Sequence, residues 1–88
     1  MLEQQIQKKI LDYLKHEGWF FKAITCNKNG VPDIIGVIEG RLIALEVKRL
    51  GNKPTKIQQY QIEQIQKAGG LAAVVTSVED VKKVIDNV

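Results

Sequence analysis

The chain has 88 residues, which is enough for one domain with a modest hydrophobic core, so we predict a single domain over residues 1–88. Its apolar fraction of 44% is ordinary for a folded protein and excludes a disordered chain. Thirteen Lys and Arg against ten Asp and Glu give a net charge of +3, which favours an anionic partner such as nucleic acid.

The single cysteine, Cys26, excludes an intrachain disulfide and a Cys-rich zinc site. No apolar run approaches the roughly 20 residues that a membrane-spanning helix needs. Residues 1–10 lack the apolar block of a signal peptide. We therefore expect no membrane partner and a reducing, cytoplasmic location.

The first quarter of the chain predicts a helix followed by a strand. Apolar residues recur at helical spacing over residues 2–17, and Gly18 is a natural stop signal. Residues 19–25 are rich in aromatic and β-branched side chains, which is typical of a strand, and a polar loop follows at 26–30.

Two further strands, residues 33–38 and 41–48, are separated by Glu39-Gly40. A two-residue link that ends in Gly predicts a β-hairpin. The rest of the chain predicts a loop, a helix capped by Thr55, a short buried strand and a last helix capped by Ser77: residues 51–55, 56–68, 71–76 and 78–87. The order αβββαβα indicates an α/β fold in which one mixed sheet is flanked by helices.

The register of the hairpin brings two carboxylates together. If Glu39 and Gly40 form the loop, Ile38 faces Arg41, and the continued ladder places Asp33 opposite Glu46. A four-residue loop would keep this pairing, whereas a three-residue loop would shift it. Lys48 lies two residues beyond Glu46 and therefore points to the same face.

Two facing carboxylates destabilise a sheet, more so among the apolar neighbours expected on this face. The pair would be stable if a cation bridged it or if one carboxyl kept its proton. Mg²⁺ prefers such oxygen ligands, and Lys48 could orient or deprotonate an attacking water. Alternatively, Glu46 and Lys48 form an exposed ion pair at a strand end, and Asp33 only begins a strand after a proline turn.

The two longer helices place polar side chains on apolar faces. Glu3 lies within the arc of the buried face of the first helix, where a carboxylate needs a partner. Its alternative role is a favourable acid in the first helical turn. Gln58 and Gln61 share the apolar face of the second long helix, and one of them could reach the acidic pair. Otherwise they bond to neighbouring backbone.

Basic side chains cluster in the elements that border the proposed site. They could contact phosphates, or they could be ordinary solvated charges: Lys22, Lys28, Arg49, Lys53 and Lys56. The aromatic run of the first strand is expected to enter the core or a dimer surface, although an exposed ring could stack on a base: Trp19, Phe20 and Phe21.

The segment Gly30-Val31-Pro32-Asp33, followed by Glu46-Val47-Lys48, resembles the PD-(D/E)XK motif of restriction-endonuclease-like nucleases. With Glu3 in an early helix and Gln58 opening a later one, the pattern is similar to the VRR-NUC family, from Glu3 to about Val81. The resemblance implies a restriction-endonuclease-like αβββαβ core, here with an extra C-terminal helix.

The resemblance also implies roles for particular residues. Oxygen donors would hold Mg²⁺ or Mn²⁺, either directly or through water: Asp33, Glu46, the backbone carbonyl of Val47, and Glu3. Lys48 would position the attacking water. Gln58, or in its place Gln61, would support Lys48 or the scissile phosphate. The implied reaction is metal-assisted hydrolysis of a phosphodiester bond.

The chain resembles the minimal members of this family found in bacteria and viruses, which in turn resemble homodimeric Holliday-junction resolvases. We therefore predict a structure-selective DNA endonuclease in the cytoplasm of a bacterial or phage-infected cell. One alternative is a flap or nicking nuclease with the same site. Others are a catalytically idle DNA-binding module and an α/β domain whose acidic pair is structural.

Overall fold

The computed structural model describes residues 1–24 and 26–86. Its helices and strands follow in the order α1 (Glu3–Leu14), β1 (Trp19–Lys22), β2 (Ile34–Ile38), β3 (Arg41–Val47), α2 (Lys56–Lys67), β4 (Leu71–Val75) and α3 (Val78–Ile85). This order confirms the predicted α/β class. The predicted ends of the first strand at Thr25 and of the last helix at Asn87 lie outside the described residues.

Two elements end three residues earlier than predicted, and β3, α2 and β4 each end one residue earlier. The first helix stops at Leu14 rather than at residue 17, because the N–H groups of His16 and Glu17 bond to carbonyls three residues back, those of Tyr13 and Leu14, and tighten the chain into turns. The first strand ends at Lys22, since its partner β2 begins at Ile34, directly opposite Lys22. Strand length is therefore set here by the partner strand.

The four strands lie side by side in sequence order, β1-β2-β3-β4. β1, β2 and β3 are antiparallel neighbours, and β4 pairs parallel with β3. Glu39 and Gly40 have φ values of 49° and 82°, and positive φ at both central residues is the mark of a type I′ turn. The predicted two-residue hairpin, with Ile38 opposite Arg41, is confirmed.

Helices cover the two faces of the sheet unequally. α1 and α3 pack on one face and bury Ile43, Leu45 and Val47 completely, which forms the main core. On the other face, Ile62 of α2 packs against Ala44 and other residues of β3 and β4. Among the described residues, no helix is both long and apolar enough to cross a membrane.

The predicted caps of α2 and α3 are both present. Thr55 Oγ1 accepts a hydrogen bond from Gln58 N, and Ser77 Oγ accepts one from Asp80 N. The Asp80 carboxylate in turn accepts hydrogen bonds from the N–H and hydroxyl of Thr76, at 2.9 and 2.6 Å. These bonds fix α3 at the end of β4 and lower the pKa of Asp80.

Candidate active site

Asp33 and Glu46 meet where β2 begins and β3 ends. Ile34 pairs with Leu45, so one further step of the same register brings Asp33 beside Glu46, as predicted. Asp33 Oδ2 accepts a hydrogen bond from the backbone N–H of Val47 at 3.0 Å. The side chain of Asp33 thus continues the ladder that the β2 backbone begins.

The loop before Asp33 is held against α2. Gly30 has a φ of +77°, and a Cβ atom there would lie 2.8 Å from the carbonyl oxygen of Ile57. Both facts require glycine at this position. Pro32 is fully buried, and Gln61 Nε2 donates to the Asn29 carbonyl at 3.1 Å. Asp33 is therefore fixed twice, by the packing of the loop that precedes it and by the hydrogen bond of its own carboxylate.

Glu46 is a buried carboxylate with one unsatisfied oxygen. Its exposure is 2%, and Lys48 Nζ lies 3.5 Å from its Oε2 atom. Its Oε1 atom is buried and has no hydrogen-bond partner among the described residues. The ion pair of the alternative prediction exists, but it is buried rather than exposed. A buried, unpaired carboxylate oxygen is costly unless a proton or a cation completes it.

The electrostatics of Glu46 reflect this burial. Its pKa is raised to about 7, first by burial and then by the neighbouring Asp33 carboxylate, against the opposing effect of Lys48. Two carboxylates that share one site cannot easily both ionise without a counter-ion. The oxygen donors of Asp33 and Glu46, and the unsatisfied Oε1 atom, fit a divalent cation such as Mg²⁺ or Mn²⁺.

Similarity to known proteins shows the family to which the chain belongs. The family model described as "Archaeal holliday junction resolvase (hjc)" matches residues 4–84, nearly the whole chain. The chain belongs to the Hjc family. It is therefore a member of a nuclease family, and the resemblance to PD-(D/E)XK enzymes is confirmed. A search of curated proteins finds no match for this Hjc-family chain.

Solved structures give the same answer for the fold. A "VRR_NUC domain" is 28% identical and superposes with a TM-score of 0.81 over 96% of this chain and 94% of its own. A "VRR_NUC domain protein" at 22% identity has a TM-score of 0.81 over 98% of this chain and 86% of its own, which shows a shared fold. The restriction-endonuclease-like fold is thus shared over nearly the whole length of this chain.

Glu3 of the Hjc-family chain does not join the acidic pair in a larger cluster. Among the described residues, no three His, Cys, Asp or Glu side chains are placed together to hold a metal ion. Half-buried in the first turn of α1, Glu3 lines a cleft of about 510 Å³ together with Lys22 and Arg49. A metal-binding role for Glu3 stays a prediction.

Gln7 is a residue that the sequence analysis missed. It lines the same cleft as Glu3 and is 7% exposed, and its Oε1 atom has no partner in the described part of the chain. The signal was present in the sequence, because Gln7 lies four residues after Glu3 and three before the buried Ile10. An amide on this face needs a hydrogen-bond partner as much as a carboxylate does.

The two candidate glutamines of α2, Gln58 and Gln61, both bond to neighbouring backbone, which is the alternative considered for them. Gln58 Oε1 accepts a hydrogen bond from Thr55 N at 2.8 Å and so completes the capping box of α2. Gln61 bonds to the loop at Asn29. In the described residues neither side chain forms a hydrogen bond with Lys48. A role for Gln58 in cleavage stays a prediction.

The five basic side chains singled out above are all exposed, and none of them forms an ion pair with a described residue: Lys22, Lys28, Arg49, Lys53 and Lys56. Lys22 and Arg49 share the cleft of Glu3, while Lys28 lines a second cleft, of about 610 Å³, between α2 and the hairpin. Their charges are free to meet an anion, and contact with DNA stays a prediction.

Proposed function

We propose that this Hjc-family nuclease is a Mg²⁺- or Mn²⁺-dependent DNA endonuclease that resolves four-way junctions as a homodimer. The observation that carries the proposal is the buried carboxylate of Glu46, which has one oxygen without a partner and lies between Asp33 and Lys48. Burial of Glu46 beside Asp33, with Lys48 in contact with one of its two oxygens, disfavours the ionised form in the folded chain but suits a divalent cation.

The metal ligands proposed are the side chains of Asp33 and Glu46 and the backbone carbonyl of Val47. A divalent cation held there would neutralise charge that develops on the phosphate and would lower the pKa of an attacking water. Asp33 is held in place by the N–H of Val47, so its orientation costs little when the substrate binds. Glu46 would hold the cation in its ionised form, because a proton and a cation compete for the same oxygens.

Lys48 is the group proposed to act on the water and the phosphate. Its side chain is 14% exposed, and its ammonium lies 3.5 Å from Glu46 Oε2. This placement keeps a positive charge at the edge of the acidic pair, where it can orient the water and stabilise negative charge on the phosphate oxygens. The exposed Lys22, Lys28, Arg49, Lys53 and Lys56 would bind the DNA backbone on either side.

A four-way junction is the proposed substrate because family membership points to it. A junction has two equivalent strands to cut, and a two-fold homodimer presents two equivalent sites. The test compares a labelled junction, a flap and a plain duplex, each with Mg²⁺ and with EDTA. We expect paired cuts in the junction that require metal, and little cutting of the duplex.

Two variants separate chemistry from binding. Lys48→Met should bind the junction as well as the wild type but cut it at least about a hundredfold more slowly, the scale for loss of one stabilising charge. Lys9→Met, which removes an exposed charge from α1, is the matched control and should cut normally. Preferred cutting of the flap would show that a flap, and not a four-way junction, is the substrate. Metal-independent binding without any cutting would identify an idle DNA-binding module instead.

A further inference from the structure

The sheet face that carries Glu46 is only half covered by a helix. The register places two rows of apolar side chains on this face, first Trp19, Val37 and Leu42 and then Phe21, Ile35 and Ala44. α2 packs over β3 and β4, and its Ile62 contacts Ala44. The side of the face formed by β1 and β2 is thus left open to solvent.

Four side chains on the open side form one apolar surface, here called the aromatic patch: Trp19, Phe21, Val37 and Leu42. They are 67%, 43%, 38% and 40% exposed. The rings of Trp19 and Phe21 touch, with centroids 5.4 Å apart, and form a ridge along β1. Together the four expose on the order of 400 Å² of apolar surface, which is within the range of the largest apolar patch of a typical monomer, a patch that is often functional.

A cleft of about 610 Å³, here called the hairpin cleft, adjoins this patch and shares Leu42 with it. Gln64 and Ile65 of α2 lie on one side of it, and the turn of the β2–β3 hairpin lies on the other. Charged groups of both signs line the cleft: Glu39, Arg41 and Lys28. Such a cleft can accept an apolar ridge while its charges pair with the opposite charges of a second identical cleft.

We propose that the aromatic patch and the hairpin cleft form the interface with a second copy of this chain. The ridge of Trp19 and Phe21 in each copy enters the hairpin cleft of the other. A two-fold axis would then set Glu39 of one copy near the partner's Arg41, which leaves Lys28 for the DNA contact proposed above. This inference rests on the homodimer proposed above and names the surface that forms it.

A second copy suits this surface better than nucleic acid does. Phosphates could pair with Arg41 and Lys28, but they would also meet the carboxylate of Glu39 and an apolar floor. An identical surface supplies an apolar ridge for that floor and charges of both signs. A standard interface buries about 800 Å² per partner, so the aromatic patch provides about half of it as an apolar centre. The walls of the hairpin cleft provide the remainder.

The location also suits an enzyme that makes paired cuts. Asp33 and Glu46 form the next row on the same face, after Phe21, Ile35 and Ala44. Rows in a sheet are roughly 7 Å apart, so the acidic pair lies one to two rows from the aromatic patch. Contact through the patch would therefore hold the two active sites in a fixed relation through the sheet itself.

Trp19 is the only tryptophan of the chain, so its fluorescence reports on this surface directly. The wild-type protein is diluted from high micromolar to nanomolar concentration in EDTA, without DNA. Mass is followed by sedimentation equilibrium, and Trp19 by its emission and its quenching by iodide. We expect the mass to double at high concentration. As the concentration rises and the dimer forms, the emission of Trp19 should shift to shorter wavelength and its quenching by iodide should fall.

Substitutions inside and outside the aromatic patch test whether this surface forms the interface. Val37→Glu and Leu42→Glu, checked for folding by circular dichroism, should each weaken the dimer by more than about tenfold, because a charge would be buried at the contact. Leu50→Glu changes an apolar residue that is 90% exposed outside the aromatic patch, and it should dimerise normally.

In the dilution series, a monomer at every concentration would overturn the inference, and so would a doubled mass with Trp19 still open to iodide. Protection of Trp19 only after single-stranded DNA is added, in a separate titration of the diluted protein, would overturn it in favour of nucleic acid. Because neither DNA nor metal is present in the dilution experiment, a failure to cleave DNA would leave its outcome unaffected. Conversely, a monomer that cuts junctions would overturn the interface while the nuclease assignment stands.

Discussion

The carboxylate of Asp33 is bound by the backbone N–H of Val47, at 3.0 Å, across the start of β2 and the end of β3. This bond continues the hairpin ladder through a side chain after the two backbones stop pairing at Ile34 and Leu45. It explains how an aspartate can be held beside the buried Glu46 although their charges repel. The same hydrogen bond therefore joins the two strands and positions the carboxylate of the candidate site.

Asp33→Asn tests this dual role. The amide oxygen of Asn can still accept from Val47, so we expect the free energy of unfolding to change by less than about 1 kcal/mol. The pKa of Glu46 should fall, since a neighbouring negative charge is lost, and cleavage should be abolished. Carboxyl ¹³C NMR measures the pKa, and the junction assay measures cleavage. An Asn variant that cuts like the wild type would remove Asp33 from the active site.

The raised pKa of Glu46 predicts an unusual pH dependence of stability without metal. Its ordinary pKa is 4.5 and its folded value is about 7, so folding takes up a proton between these values. The stabilising contribution is complete below pH 4.5 and is lost as the pH rises through 7. Urea denaturation in EDTA should therefore show a loss of up to roughly 3 kcal/mol between pH 5 and pH 8.

Two controls assign that loss to Glu46. Glu46→Gln keeps the shape of the side chain without a titrating proton, so its stability should be nearly flat over the same pH range. Mg²⁺ added at pH 8 should restabilise the wild type, because it binds the ionised form, but should not restabilise the Gln variant. If stability depended on pH equally in both proteins, the loss of stability would not come from the titration of Glu46.

The hairpin shows why the placement of Asp33 beside Glu46 could be predicted from sequence. Its turn needs two positive φ values, which Glu39-Gly40 supplies locally, and the turn alone sets the register that aligns Asp33 with Glu46. The cap at Thr55 is equally local. Gln58 shows how one pattern can indicate two roles. A Gln three residues after Thr is also the pattern of a capping box, and in the structure Gln58 forms the capping box of α2.

Long-range packing explains what local patterns could not predict. Alternation along β1 separates Phe20 from Trp19 and Phe21, and Phe20 packs against the main core while its neighbours are exposed. This outcome depends on α2, which packs on β3 and β4 and so leaves the side at β1 open. Where a helix settles on a sheet depends on contacts that are distant in sequence.

Gln7 tests whether a buried amide is kept for function. Its Oε1 atom lacks a partner among the described residues, and such an acceptor costs about 1–3 kcal/mol. Gln7→Leu should therefore raise the free energy of unfolding by about 1 kcal/mol, measured with urea. Gln4→Leu, at an exposed position of the same helix, should change it by less than about 0.5 kcal/mol. A destabilised Leu variant would show that Gln7 has a partner after all.

The cleft that Gln7 shares with Lys22 and Arg49 gives the last prediction, which concerns DNA affinity. Both cations are exposed and unpaired among the described residues, so each can displace one counter-ion from a phosphate. Lys22→Met and Arg49→Met should each weaken junction binding and reduce the slope of log affinity against log salt by about 1.

Binding is measured in Ca²⁺, which should support binding without rapid cutting, across a series of salt concentrations. Lys67→Met removes an equally exposed charge from the end of α2 and serves as the control with an unchanged slope. If all three variants lost the same affinity, net charge alone would explain binding. A loss confined to Lys22 and Arg49 would instead trace the path of the DNA backbone over α1, because the cleft that holds both cations borders that helix.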